Sequence, residues 1–244
     1  MIRADLHIHT VLSPCGDIEM TPLNIISRAA EEGLDVIGIA DHNSTLNCLE
    51  ISRVGEERGI FVLCGAEVTT REEVHLLCFV EQNRLSELQD FLEKSIVKIP
   101  NDPDVFGYQL AVNSDEEVVA EVEYLLINAI DKSIEEVGGF VHSLGGIFIP
   151  AHIDKGSNSV YSQLGFLPFG LSAEALEISQ NADASAMAAK DKSIRGFNFI
   201  KSSDAHYPEQ IGGAYTLLDI SDVSFSSLKS ALSSTKNPPQ YKTR

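Results

Sequence analysis

The chain has 244 residues, 43% of them hydrophobic, with 36 acidic against 18 basic side chains and a formal net charge of −18. That length suits one large domain or two small ones with a full hydrophobic core. The acidic balance argues against long duplex DNA or RNA and against anionic membranes as partners, and no apolar run approaches the ~20 residues of a membrane span.

The N-terminus lacks the charged, apolar and small-residue series of a secretory leader. Cys15, Cys48, Cys64 and Cys78 form no CxxC pair. A reduced, cytoplasmic protein is the expectation.

Strand-like and helix-like segments alternate. Ile2–His9 alternates with period two and reads as a strand. Thr21-Pro22 supplies an N-cap and a first-turn proline for a helix through Glu32, which Gly33 ends. Val36–Ala40 reads as a buried strand, followed by a helix from about Thr45 to Arg58. Ile60–Ala66 and Val74–Val80 are the next strands, and Asn83–Ile96 is helical. Pro100–Ser114 reads as a loop. Asp115–Ser143 carries apolar residues at Val118, Val122, Leu125, Leu126 and Ala129, a spacing that predicts one long helix. Ile147–Ala151 and Ala175–Ser179 are strands, Ala182–Lys190 a helix, Phe197–Ser202 and Ala214–Asp219 late strands, and Val223–Ser234 a last helix.

Repeated strand–helix units of this length predict a (β/α) barrel, with chemistry at the C-terminal ends of the strands. Residues 1–235 are expected to form a single domain with an insertion at about 97–116, and the polar, proline-bearing tail 236–244 is expected to fray. Only Val68–Glu73 separates the strand ending near Glu67 from the one starting near Val74. Six residues cannot make a parallel crossover. The pair is therefore an antiparallel hairpin, which returns His75 to the end of the barrel that holds Glu67.

His7 and His9, two apart in a strand, point to one side. Asp41-His42, Glu67, His152 and the Asp204–His206 pair sit at other strand ends. Six of the seven histidines thus fall at one rim, with His142 left in the long helix as a structural or exposed residue. As a set they predict metal binding. Nitrogen and oxygen donors without a thiolate cluster suit Zn²⁺, Mn²⁺ or Fe²⁺.

DLHIHT at 5–10, ADHN at 40–43, GAE at 65–67, EVH at 73–75, PAH at 150–152 and SSDAH at 202–206 resemble, in order, the motifs of the PHP (polymerase and histidinol phosphatase) family. The resemblance implies a distorted (β/α)7 barrel with two or three divalent ions that hydrolyses phosphoesters. It places His7, His9, Glu67 and Asp204 on a first metal. Glu67, His75 and His152 fall on a second, and His42 and His206 on a third. A further ligand to the third comes from the loop after HxH, with Asp17 the first candidate and Cys15 the weaker one. Asp5 is expected to orient a histidine from behind.

Such a rim would attract compact phosphates and activate water for in-line attack without a side-chain nucleophile. Proton transfer to the leaving group falls to His206 or His42. Lys155, in PAHIDK beside the rim, is the first choice for holding the reacting phosphate. Arg71 and Arg195 are weaker candidates, while Ser157, Ser159 and Ser162 follow Lys155 in a loop. Glu177, Gln180 and Asn181 follow another strand and are expected to line the pocket. The expected substrate is a small phosphomonoester or short nucleotide. An amidohydrolase-type metal hydrolase and a non-catalytic, nucleotide-binding regulatory module are the alternatives.

Overall fold

The computed structural model describes residues 1–243. The chain runs β1 (Ile2–Ile8), α1 (Pro22–Glu31), β2 (Val36–His42), α2 (Cys48–Arg58), β3 (Phe61–Thr69), β4 (His75–Val80), α3 (Leu85–Ser95), α4 (Pro103–Phe106), β5 (Leu110–Val112) and β6 (Val118–Glu121). It continues through α5 (Ile134–Ser143), β7 (Ile147–Pro150), α6 (Val160–Leu164), β8 (Leu176–Glu177), α7 (Ala184–Lys190), β9 (Phe199–Ile200), β10 (Ala214–Leu218), α8 (Phe225–Leu232) and β11 (Gln240–Thr243). Thr21 caps α1 through its side chain, with Pro22 in the first turn.

One sheet has the order β11-β10-β1-β2-β3-β4-β7. β1, β2 and β3 are parallel, and β4 runs antiparallel to both neighbours, so the hairpin is present as expected. β8 and β9 form a separate parallel pair. Two main-chain bonds join that pair to β7: Glu174 N–H to Phe148 O and Ile153 N–H to Glu177 O. On the other side Ala205 bridges Ile8 in parallel, with His9 N–H donating to Ala205 O at 2.9 Å and Ala205 N–H to His7 O at 3.2 Å. β1, β2, β3, β4, β7, β8 and β9 with its extension thus form a distorted seven-stranded barrel in which only β4 is reversed.

The barrel lumen and the outer layer have separate cores. Ala4, Leu6, Val36, Leu63, Phe79 and Ile149 pack in one cluster, with Leu228 and Leu232 of α8 against it. Ile8, Ile37, Ile39 and Cys64 pack outward against Ile25, Ile51 and other helix residues. The β1–β2 register slips between Asp5 and Ile8. Ala4 and Leu6 belong to the lumen cluster and Ile8 to the outer one. Irregularities of this kind re-aim side chains beside active sites; here the slip lies where β1 delivers His7.

Phe79 fills the lumen beside Gly65. A Cβ on Gly65 would lie 2.0 Å from Cys78 O and 2.6 Å from the Phe79 ring.

Four expectations differ from the structure. Pro100–Ser114, read as a loop, holds α4 and β5, because Asp102, just ahead of Pro103, caps a short turn of helix and Leu110–Val112 pair with β6. The predicted helix 115–143 is helical only over α5. Val118 and Val119 pair in an exposed ribbon with β5, as β-branched residues favour. Residues 122–130 are irregular: Gln109 Nε2 donates to Val122 O and Tyr124 O, and Asn43 Nδ2 to Leu126 O and Asn128 O. Val122 and Leu126 pack on Leu12 there, which mimics helical spacing. The expected start of α2 at Thr45 is displaced to Cys48, because Gln89 Oε1 holds the Thr45 N–H and hydroxyl outside the helix. Within the tail expected to fray, Gln240–Thr243 instead form β11 against β10, with Lys201 over the Tyr241 ring; Arg244 lies outside the described residues.

Candidate metal centre

Six strands present ligand-type side chains at one end of the barrel. Glu67, at the end of β3, is the hub. Its Oε1 lies 2.8 Å from His75 Nδ1, 3.1 Å from His152 Nε2 and 3.3 Å from His7 Nε2. Its Oε2 lies 3.2 Å from His42 Nδ1 and 3.5 Å from His9 Nε2. Asp204 Oδ1 stands 3.4 Å from His7 Nε2 and 3.5 Å from His9 Nε2. All these residues are buried or nearly so.

The surrounding hydrogen bonds fix the tautomers. Glu177 accepts the Nδ1–H of His7 at 3.0 Å. Ser13 Oγ donates to Asp41 Oδ1 at 2.7 Å and therefore accepts from His9 Nδ1 at 3.0 Å. The Nδ1–H of His206 donates to Asp204 O at 2.9 Å. In the neutral rings, Nε2 of His7, His9 and His206 then carries a lone pair. His7 Nε2 and His9 Nε2 face each other at only 3.2 Å, with carboxylate oxygens as the nearest companions. His42 Nδ1 is buried without a hydrogen-bond partner. Ring nitrogens converging this closely on buried carboxylates are what a divalent cation satisfies.

Three groups bring their ligand atoms within 4.8 Å of one another: His7, His9 and Asp204; His42, Glu67 and His75; and His9, Cys15, His42 and His206. The residues present fit a multinuclear metal centre.

The electrostatics agree. Burial disfavours charge on His7, but Glu177, Asp204 and Glu67 outweigh it and raise its pKa well above the ordinary value. Burial lowers His9 to about 4 and drives His42 well down. Burial opposes ionisation of Glu67 and Asp204, yet the histidines around them hold both carboxyls well below the usual range. His152 and Asp204 adopt left-handed backbone, with φ of 27° and 53°, a strain that concentrates at functional sites.

The nine expected ligands are not all brought together. Asp17 lies outside the groups: its carboxylate caps Glu19 N–H at 2.9 Å and lines a separate surface cleft. Cys15 takes its place beside His9, His42 and His206. Asp5 does not orient a histidine ring; it accepts the N–H groups of Ser203 and Gly212, both at 2.9 Å. Glu177 does that work for His7.

Lys155 is at the rim, paired with Asp204. Arg71 is not: it pairs with Asp131 and Glu136 on the surface. Arg195 donates to Ala188 O on α7 and lines neither rim cavity. Ser159 and Ser162 form the capping box of α6 rather than facing the rim, whereas Ser157 lines a recess of about 140 Å³ with Glu67 and His206. An adjoining open cleft of about 450 Å³ is lined by Glu177, Ser179, Gln180 and Asn181. His152, Lys155 and Asp204 line both cavities. His142, away from the rim, pairs with Glu174.

A barrel with one reversed strand and an imidazole–carboxylate rim defines a metal-dependent β/α-barrel class. The chain belongs to the PHP family: residues 5–153 match the PHP domain and residues 183–237 the PHP-associated region. It is 35% identical over 79 residues to an uncharacterized protein of Methanocaldococcus jannaschii, covering 29% of this chain and 46% of that one. It is 34% identical over 80 residues to the 3',5'-nucleoside bisphosphate phosphatase of Chromobacterium violaceum, covering 32% and 27%. The matched stretch therefore spans less than half of either relative.

Endonuclease Q of Pyrococcus furiosus shares the fold, with a TM-score of 0.71 and 22% identity over 95% of this chain and 56% of that one. Endonuclease Q has also been solved with a 27-mer duplex carrying an abasic lesion at the active site; that structure matches with a TM-score of 0.70 and 21% identity over the same shares. This overturns the exclusion of long duplex nucleic acid. Net charge sums over the whole surface and does not report the field at one rim. Among the described residues, no helix is long and apolar enough to cross a membrane.

Proposed function

We propose that the chain is a metal-dependent phosphoesterase. The observation that carries this reading is Glu67, whose buried carboxylate is ringed by five imidazoles, those of His7, His9, His42, His75 and His152, all within 3.5 Å. That is the arrangement of a carboxylate shared between cations. His7, His9, Glu67 and Asp204 would hold one ion, Glu67, His75 and His152 a second, and His42 and His206 a third. Bound divalent ions would supply Lewis acidity and a water of lowered pKa.

The chain's own residues prepare the rest. Glu177 and the Ser13–Asp41 pair lock His7 and His9 with Nε2 inward. Lys155, where recess and cleft meet, turns from Asp204 to a phosphoryl oxygen. Burial works against the charge on Lys155, but Asp204, Glu177 and Glu67 outweigh it and raise its pKa, so it stays cationic. His206 has committed its Nδ1 proton to Asp204 O, so it serves as a ligand rather than the general acid. The cleft beside Asn181 and Gln180 receives the leaving group.

We propose a small phosphomonoester or a nucleotide end as substrate, with Zn²⁺, Mn²⁺ or Fe²⁺ as cofactor. The four cysteines are free thiols, which supports a reduced compartment. Because rim residues come from His7 through His206, residues 1–235 would act as one unit.

The test is phosphate release from an aryl phosphate and from nucleotides, beside cleavage of an abasic-site duplex, with Mn²⁺ or Zn²⁺. Activity that Asp204→Ala and Glu67→Gln abolish supports the reading. No hydrolysis of any of these, or full activity in both variants, overturns it.

A further inference from the structure

We propose that Cys15 is a thiolate ligand, with His42 and His206, in the third cation site beside His9, and that this site selects a thiophilic ion such as Zn²⁺ over Mn²⁺ or Mg²⁺. The inference rests on the multinuclear reading above and extends it to a donor of different chemistry.

Two independent observations place the sulfur there. The first is proximity: one ligand atom from each of the four residues lies within 4.8 Å of the others. Cys15 is the only cysteine so grouped among the described residues; Cys48, Cys64 and Cys78 are buried in the outer core. The second is His42 Nδ1, which makes no hydrogen bond although Glu67 Oε2 stands 3.2 Å away, on a ring 8% exposed that belongs to two of the three groups.

The loop that carries Cys15 is held in place. Ser13 N–H donates to Thr10 O, Gly16 N–H to Ser13 O at 2.8 Å and Asp17 N–H to His206 O at 2.8 Å. A Cβ on Gly16 would sit 2.2 Å from Thr10 O, so the turn closes only with glycine directly after Cys15. The Asp17 bond couples the loop to His206 itself. It also explains why Asp17 is not the ligand: its main chain faces the rim, and its carboxylate turns back to Glu19 N–H.

Coordination replaces the S–H bond with a sulfur–metal bond, and the proton leaves to solvent. A soft thiolate discriminates between cations as nitrogen and oxygen donors do not: it favours zinc, ferrous iron or cobalt over manganese or magnesium.

The experiment loads the full chain with Co²⁺. Wild type should show the near-ultraviolet thiolate-to-cobalt absorption. Asp17→Asn should keep it, and Cys15→Ser should lose it with an unchanged far-ultraviolet circular dichroism spectrum. A second measurement needs no variant: Cys15 is exposed, and its alkylation by iodoacetamide, followed by peptide mapping, should slow about tenfold with Zn²⁺ at about ten times its Kd. No band in fully loaded wild type, a band surviving in Cys15→Ser, or equal alkylation with and without Zn²⁺ overturns the proposal. Hydrolysis assays on the same preparations separate the two readings. A band without hydrolysis removes the phosphoesterase and leaves the thiolate site; hydrolysis without a band does the reverse.

Discussion

Glu177 Oε2 accepts the Nδ1–H of His7 at 3.0 Å and the main-chain N–H of His152 at 2.9 Å. One oxygen of β8 thereby orients rim residues from two other strands. Glu177→Gln keeps the shape but loses the charge that anchors the His7 tautomer. Its expected effect is a ten- to hundredfold loss of metal affinity, of order 1.4–2.8 kcal/mol, read by calorimetric titration with Zn²⁺. Unchanged affinity would show that the tautomer is set elsewhere.

Lys155 and Arg71 should separate cleanly in kinetics. Lys155 lines both rim cavities, while Arg71 is committed to Asp131 and Glu136 on the surface. Lys155→Ala should lower kcat/KM for an aryl phosphate by about ten- to hundredfold, the loss of one charge-assisted contact. Arg71→Ala should leave it within about twofold, since exposed ion pairs contribute little. The reverse order would relocate the anion site to the hairpin turn.

Gly65→Ala tests the lumen. The added methyl would meet Cys78 O and the Phe79 ring inside van der Waals contact, and neither can retreat without moving β4. A destabilisation of about 3 kcal/mol or more is expected, measured as a lower urea midpoint. A variant as stable as wild type would mean that the β3–β4 pair is looser than its register implies.

Asp5 gives the fold a pH signature. Burial raises its pKa from 3.8 to about 6, against the lowering effect of its bonds to Ser203 and Gly212. The folded state thus binds more protons than the unfolded one between these values, and the Asp5 contribution to stability falls as pH rises from about 4 to about 6. The full effect is on the order of 3 kcal/mol. Asp5→Asn cannot ionise, so its stability should fall less steeply than wild type across that window. Parallel profiles from urea melts at several pH values would assign the slope to other groups.

Much of the rim was legible in the sequence. Strand side chains repeat every two residues and β/α barrels place strand C-termini at one end, so His7, His9, His42, Glu67 and His152 could be assigned to one place. Six residues between Glu67 and Val74 dictated the hairpin that returns His75. What local pattern could not show depends on distant partners. Glu177 and His7 are 170 positions apart, and no local signal distinguishes Glu177 from Asp5 as the residue behind the histidine. That Cys15 rather than Asp17 stands beside His9, His42 and His206 follows from a turn closed by the carbonyl of Thr10 and from a bond to His206. The segment 122–130 carried a helical apolar spacing, but buried Gln109 and Asn43 satisfy its main chain from outside.

The closure of the barrel has a mechanical consequence. Where the chain's first strand meets Ala205, the His9–Ala205 and Ala205–His7 main-chain bonds cross the joint, helped by Ser203 N–H on Asp5, and His7, His9 and Asp204 flank it. A cation held by those three side chains would act as a clasp on this joint of the ring, joining segments nearly 200 residues apart. Chelation should therefore loosen the joint first. Faster amide hydrogen exchange at His9 and Ala205, with β2 and β3 unaffected, would register the ring parting along that line while the rest of the wall stands.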